Sequence, residues 1–281
     1  VTTVQRILRF DRVVGDLGRA VAFYRDALGF SVVAHGPLDA STTALLAAGE
    51  AMEAQIRLGA QDIGLVQFAA PPLPPPPNSR SNDLWFQHLA IVVSDMGAAY
   101  AHLRNHSGWS AITMGGPRTL PPQDGAVIAF KFRDPDGHPL ELIWYPHPTG
   151  AENWQRFRGD GLFLGIAHSA MAISCRPTSL RFYRSLGLRV TARSLNAGPA
   201  QAQLDGLPRA RVRVTALRPR DNASPGLELL RYARPGRVMP RTSTDDEITD
   251  WVVGEAASGS ASDSQLFRDP DGHRIIVLPR V

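Results

Sequence analysis

The sequence predicts an α+β protein made by repeating one unit, a strand followed by a helix and then about three strands. Three observations predict it. The heptapeptide FRDPDGH occurs twice, at Phe132–His138 and at Phe267–His273. A helix-like segment also recurs. GDLGRAVAFYRDALGFSV (Gly15–Val32) matches SCRPTSLRFYRSLGLRV (Ser174–Val190), and SDMGAAYAHLRNHSGWSAI (Ser94–Ile112) is a looser copy. Short β-like runs stand before and after each of these segments.

The elements follow in order. In the first unit Ile7–Val14 reads as a strand, and Val21, Phe23, Tyr24 and Leu28 then fall at helical spacing. Gly29 stands where a C-cap is expected, as do Gly108 and Gly187 in the later copies. Gln55–Leu58 and Ile63–Phe68 read as strands. The second unit offers His88–Val93, the looser helix, Val127–Phe132 and Leu140–Tyr145. The third offers His168–Ile173, a helix carrying Leu180, Phe182, Tyr183 and Leu186, then Arg211–Leu217 and Leu227–Tyr232. The fourth is short. Thr249–Val253 serves as its first strand, and little room for a helix remains before Ser264–Phe267 and Arg274–Leu278. The units start near Ile7, Leu84, Leu164 and Thr244, a period of about 80 residues.

Proline and glycine mark the seams. Pro71–Asp83 reads as an extended, polyproline-like connector, and His147–Gly161 and Ala233–Asp246 join later units. The expected organisation is residues 1–146 for units one and two, a linker at 147–163, and residues 164–281 for units three and four. Within the repeated turn, Pro135 presets φ and Gly137 takes a positive φ, so Asp134 and Asp136 are expected to bond the backbone. His138 and His273 are read as turn residues.

Composition limits the function classes. Hydrophobic residues are 43% of the chain and charged ones 20%, and no apolar run approaches the roughly 18–20 residues of a membrane span. One cysteine, Cys175, makes neither an internal disulfide nor a CxxC zinc site, which fits a cytoplasmic protein. Val1-Thr2-Thr3 has no signal-peptide pattern, yet it lacks a methionine, as after a cleaved leader or a trimmed start. The net charge is +4, but the arginines are scattered and only one of the 30 basic residues, Lys131, is a lysine. There is no basic helix face of the nucleic-acid-binding kind. No nucleotide-binding glycine fingerprint is present. A small-molecule substrate is therefore expected, with no nucleic acid and no membrane. Four units in one chain suit a monomer or a homodimer.

The repeated unit, the AFYRDALGF helix and the FRDPDGHPLEL hairpin resemble the vicinal oxygen chelate superfamily, which holds glyoxalases, extradiol dioxygenases and bleomycin-resistance proteins. The resemblance covers nearly the whole chain. It implies four βαβββ modules, the last degenerate, paired into two half-open β-barrels with helices outside. It also implies metal ligands on the first and last strand of each module. Carried onto this sequence, those positions are His88 and Glu141 in unit two and His168 and Glu228 in unit three. In unit one they are Arg9 and Gly64. In unit four they are a residue near Asp250 or Trp251, and Ile276.

The chemistry of these residues bears on the pairing. Arginine, glycine and isoleucine cannot build a cation site. If unit one paired with two, each barrel would hold one histidine and one glutamate, too few for a divalent ion. If units two and three pair, one barrel receives all four ligands. The strand pattern agrees, since Leu140, Leu142 and Trp144 oppose Glu141, and Leu227 and Leu229 oppose Glu228. Trp85, Phe86 and Trp144 flank the ligand positions as pocket walls or as core.

Two imidazoles and two carboxylates suit one divalent ion, with Ni, Co, Zn, Mn and Fe(II) all open. The ligand set resembles that of glyoxalase I. This implies a metal-dependent lyase or isomerase acting on a small hydroxy-carbonyl compound through an enediolate, with Glu141 or Glu228 as ligand and base. The alternatives are an Fe(II) extradiol-type dioxygenase and a non-catalytic, resistance-type binding protein. The extra glutamate argues against the first, as does the lack of a clearly placed neighbouring histidine or tyrosine. Arg9, Gln67 and Trp251 of the outer units would serve the second, for an anionic or aromatic ligand.

Overall fold

A computed structural model describes residues 2–70, 79–121, 126–146, 154, 161–221, 225–236 and 250–280. Unit one is β1 (Val4–Val13), α1 (Leu17–Leu28), β2 (Ser31–Pro37), α2 (Ala40–Leu46), β3 (Ala51–Leu58) and β4 (Gln61–Phe68). Unit two is β5 (Gln87–Val93), α3 (Met96–Arg104), β6 (Ser110–Ala111), β7 (Arg118–Thr119), β8 (Ile128–Arg133) and β9 (Pro139–Trp144). Unit three is β10 (Phe163–Ala172), α4 (Arg176–Ser185), β11 (Arg189–Ala197), α5 (Pro199–Leu204), β12 (Arg211–Arg218) and β13 (Gly226–Arg234). Unit four is β14 (Asp250–Ala256), β15 (Gln265–Arg268) and β16 (Arg274–Leu278), with no helix among its described residues. Residues 71–78 of the proline-rich connector, most of 147–160, and 237–249, including Thr249, lie outside the described residues.

Two large sheets result. One runs β15-β16-β14-β1-β4-β3-β2, uniting units one and four. The other runs β11-β12-β13-β10-β5-β9-β8-β6, with β7 beside β8, uniting units two and three. Each sheet is joined at its centre by the first strands of its two units, β1 with β14 and β5 with β10, both antiparallel. The parallel partner of each first strand is the last strand of its own unit.

The helices form where the spacing predicts. Asp16 caps α1 by accepting from the Arg19 amide at 2.8 Å, and Asp95 caps α3 through the Ala98 amide at 2.8 Å. The buried stripe of α1 is Leu17, Ala20, Phe23, Tyr24, Ala27 and Leu28. Gly29 ends α1 in the left-handed conformation, at φ 74°. Gly108 does not cap α3. Asn105 ends that helix, and Gly108, at φ 88°, lies beyond it against Pro135. One apolar cluster runs through both sheets and their helices, from Phe10 and Tyr24 to Phe130, Leu142, Tyr183, Leu229 and Val252.

The repeated turn couples units. In the first copy Asp134 Oδ1 accepts from the amides of Asp136 (3.0 Å) and His138 (2.9 Å), and Gly137 takes φ 90°. Its other oxygen accepts from the Tyr24 hydroxyl of α1 at 2.9 Å. Asp136 accepts from the Gly15 amide at 3.1 Å, and His138 Nε2 donates to the Val13 carbonyl at 2.6 Å. The second copy repeats each contact on unit three. Asp269 accepts from the amides of Asp271 and His273, both at 2.9 Å, and from the Tyr183 hydroxyl at 3.0 Å. Asp271 accepts from the Ser174 amide at 2.8 Å, and His273 Nε2 donates to the Ala172 carbonyl at 2.9 Å. Each turn therefore leaves its own sheet and clamps the first strand and helix of the other.

The first clamp carries extra charge. Arg12, fully buried, donates to the Tyr24 hydroxyl at 3.2 Å and to the Pro139 carbonyl at 2.9 Å. His138 Nδ1 lies 3.2 Å from Asp250 Oδ1, an ion pair rather than an aligned hydrogen bond. Both ring nitrogens thus face acceptors. Burial opposes the charged imidazole, but Asp250 and then Asp134 outweigh it and raise its pKa to about 9.

Two outcomes follow for stability. Tyr24→Phe leaves both Asp134 and the Arg12 guanidinium short of a partner, whereas Tyr183→Phe strands only Asp269. In urea melts Tyr24→Phe is expected to cost about 2–3 kcal/mol and Tyr183→Phe about 1–2 kcal/mol. His138, with its folded pKa raised, stabilises fully below its unfolded value of about 6.5 and loses that contribution as pH rises through about 9. Unfolding free energy should fall by up to about 3 kcal/mol across that window. His138→Gln should flatten the fall; an equally steep curve in the variant would refute the assignment.

Candidate metal centre

Four adjacent strands at the centre of the second sheet, in the order β13-β10-β5-β9, each present one predicted ligand: Glu228, His168, His88 and Glu141. Their register makes them converge. His168 pairs across with Ala90, which also neighbours Glu141, while His88 pairs with Ala170, which also neighbours Glu228. Side chains two residues apart share a face, so each histidine stands beside an alanine of its own strand. The alanines, both fully buried, leave the space that the longer side chains enter. The opposite face carries Leu89, Ile91, Leu140, Leu142, Leu227 and Leu229 into the core.

The geometry brings the four together unequally. His88 Nε2 lies 3.2 Å from Glu141 Oε2, and His168 Nε2 lies 3.9 Å from the same oxygen. The ligand atoms of His88, Glu141 and His168 all lie within 4.8 Å of one another. Glu228 Oε2 is 3.5 Å from His168 Nε2, and its side chain is 27% exposed against 7% for Glu141. Burial, then Lys131, holds the His88 pKa down to about 4. Burial pushes Glu141 up, but Lys131 and then His88 outweigh it and hold it at about 2. A neutral imidazole and an ionised carboxylate are the forms that bind a cation. His88 Nδ1 is buried without a hydrogen-bond partner. The donor set fits one divalent ion.

The four residues line a cavity of about 170 Å³. Sequence reasoning missed much of the rest of its wall. Lys131 faces Glu141 directly across β8 and β9, and Tyr145 continues the alternation Glu141, Ile143, Tyr145. Ser194 and Asn196 come from β11, Gln201 from α5, and Tyr232 from β13. The tyrosines thus lie at the site, where no tyrosine was expected. Of the two readings for the flanking aromatics, Phe86 and Trp144 take the core one. Phe86 packs edge-on behind His88 at 5.8 Å, and Trp144 packs on the core and donates to the Ser94 carbonyl.

The equivalent positions in the first sheet hold no ligand set. Strand register equates them with Arg9, Gly64, Trp251 and Ile276. Arg9 is paired with Asp11 at 2.8 Å and Glu53 at 3.1 Å, an internal cation where the other sheet gathers histidines. A Cβ on Gly64 would run into Asp11 and lie 2.7 Å from Glu53. Trp251 and Ile276 are fully buried in an apolar cluster with Val66 and Phe68. A separate cleft of about 940 Å³ beside α2 is lined by Gln67, His35 and Leu38, but neither Arg9 nor Trp251 lines it.

Known proteins share this fold. Glyoxalase I from Zea mays superposes with a TM-score of 0.63 at 15% identity, covering 98% of this chain and 92% of that one. A putative dioxygenase from Bacillus subtilis superposes with a TM-score of 0.56 at 12% identity, covering 99% and 86%. These likenesses establish the fold. The uncharacterized protein YaeR of Escherichia coli (strain K12) is 30% identical over 130 residues, 46% of this chain and 88% of that protein. Residues 6–142 match the family described as Glyoxalase/Bleomycin resistance protein/Dioxygenase superfamily. With the repeated units, their paired sheets and these relatives together, the chain belongs to the Glyoxalase/Bleomycin resistance protein/Dioxygenase superfamily.

Proposed function

We infer that the chain is a metal-dependent, glyoxalase-like lyase or isomerase that moves a proton on a small substrate bearing adjacent oxygens. The observation that carries this reading is the convergence of two imidazoles and two carboxylates from neighbouring strands into one cavity. His88, Glu141, His168 and Glu228 would hold the ion. A divalent ion bound there supplies Lewis acidity toward the substrate's oxygens.

The two glutamates differ in ways that divide their roles. Glu141 is buried, bonded to His88 and flanked by Lys131, which suits a fixed, ionised ligand. Glu228 is the more exposed, and its contact with His168 is 3.5 Å long. It has the freedom to take a proton from a carbon beside a carbonyl and to return it. Tyr145 and Tyr232 on the cavity wall favour an Fe(II) extradiol-type dioxygenase as the second reading. The identity of the bound metal separates the two.

Mass spectrometry of protein purified without a metal-binding tag should find about one divalent ion per chain. Glu141→Ala and His88→Ala should weaken binding beyond the roughly 10–100-fold that outer contacts contribute. Arg9→Ala should leave the metal content unchanged. A full equivalent retained in Glu141→Ala would sink the site. For the proton step, wild-type protein should exchange the carbon-bound protons of hydroxyacetone in deuterated water, followed by NMR. Glu228→Gln should slow that exchange by about 10²–10⁴-fold while retaining most of the metal. Unchanged exchange would remove Glu228 from the role of base.

A further inference from the structure

Lys131 is the one lysine among 30 basic residues, and it lies at the candidate centre. It stands directly across from Glu141, and its side chain is 5% exposed. Its ammonium donates to Asp205 Oδ1 at 2.7 Å. An ammonium carries three protons, and among the described residues no other acceptor takes the remaining two. Asp205 is itself held in place: its other oxygen accepts from Gln201 Nε2 at 2.7 Å, and its carbonyl from Ser81 Oγ at 2.9 Å. The lysine is therefore fixed at one corner, with donors left for a molecule that enters the cavity.

The choice of lysine adds to this. Elsewhere the chain builds most of its ion pairs with arginine, as in Arg6–Glu255, Arg12–Asp250 and Arg57–Asp62. An arginine fork would serve Asp205 alone at least as well. A compact point charge with rotatable donors serves a ligand better. The cavity of about 170 Å³ falls below the roughly 300–1,000 Å³ of pockets for drug-sized ligands, which suits a small molecule.

We propose that Lys131 is a substrate-binding residue that anchors a carboxylate, so that the site takes small vicinal-oxygen carboxylates. The substrate's adjacent oxygens face the ion site, and its carboxylate faces Lys131, which stands opposite Glu141 on the neighbouring strand. This assignment rests on the metal-centre reading.

Hydroxypyruvate and dihydroxyacetone share a hydroxy-ketone and differ in carboxylate against hydroxymethyl. Titration calorimetry on metal-loaded wild type should show hydroxypyruvate binding at least about tenfold tighter. Lys131→Gln should erase that preference while changing dihydroxyacetone affinity by less than about threefold. If the single variant does not fold, Lys131→Gln with Asp205→Asn keeps the buried pair neutral and is read in the same way. Equal binding of both probes by wild type, or of neither, overturns the proposal. So does an equal loss of both probes in the variant, which would make Lys131 a structural partner of Asp205. Metal content measured on each sample separates the two readings. Wild type that holds no ion yet shows a Lys131-dependent preference would overturn the metal centre alone, whereas bound ion without the preference would overturn Lys131 alone.

Discussion

Two buried aspartates, Asp134 and Asp269, hold the four units in place. Each closes its own tight turn through two backbone amides and spends its second oxygen on a tyrosine hydroxyl from another unit. A buried carboxylate is costly unless its oxygens are satisfied, so each turn is stable only when docked on its tyrosine. Because the first turn reaches from the second sheet to unit one, and the second reaches from the first sheet to unit three, the docking is reciprocal. Neither sheet can shift without breaking a clamp. This is the structural meaning of the repeated FRDPDGH.

The clamps free the sheet centres for other uses. Each sheet joins two first strands side by side, so equivalent positions of two units meet around a local pseudo-twofold axis. In the second sheet those positions are two histidines and two glutamates, with alanines between them. In the first sheet the same positions hold an arginine salt-bridged to Asp11 and Glu53, a glycine that makes room for those carboxylates, and a buried tryptophan and isoleucine. An internal guanidinium pairs with both carboxylates there, and apolar packing fills the rest. One architecture thus supports a polar centre of histidines and glutamates and a filled one, and only the side chains differ.

The candidate ligand positions came from the family resemblance, and strand alternation supported only the two glutamates: Leu140 and Leu142 against Glu141, Leu227 and Leu229 against Glu228. Other parts of the site were not legible. β2 and β11 are edge strands whose residues are largely exposed, so they carry no apolar alternation to read. With β11 unread, Ser194 and Asn196 went unassigned. α2 and α5 span only one or two turns and show too little periodicity. Gly108 fell at a spacing that suggested a cap, but α3 ends earlier, at Asn105.

By itself the sequence determined the repeat, most strands and helices, and the turns. These depend on local periodicity and on turn chemistry, which a single segment carries within itself. Only the tertiary structure decided that Lys131 opposes Glu141, that Asp205 reaches it from the end of α5, that tyrosines rather than tryptophans wall the cavity, and that Arg9 is bound internally. Lys131 opposes Glu141 through the register of one hairpin, whereas Lys131 with Asp205 and Arg9 with Glu53 join residues far apart in the chain. These relations depend on which strands become neighbours and in what register, and long-range packing sets both.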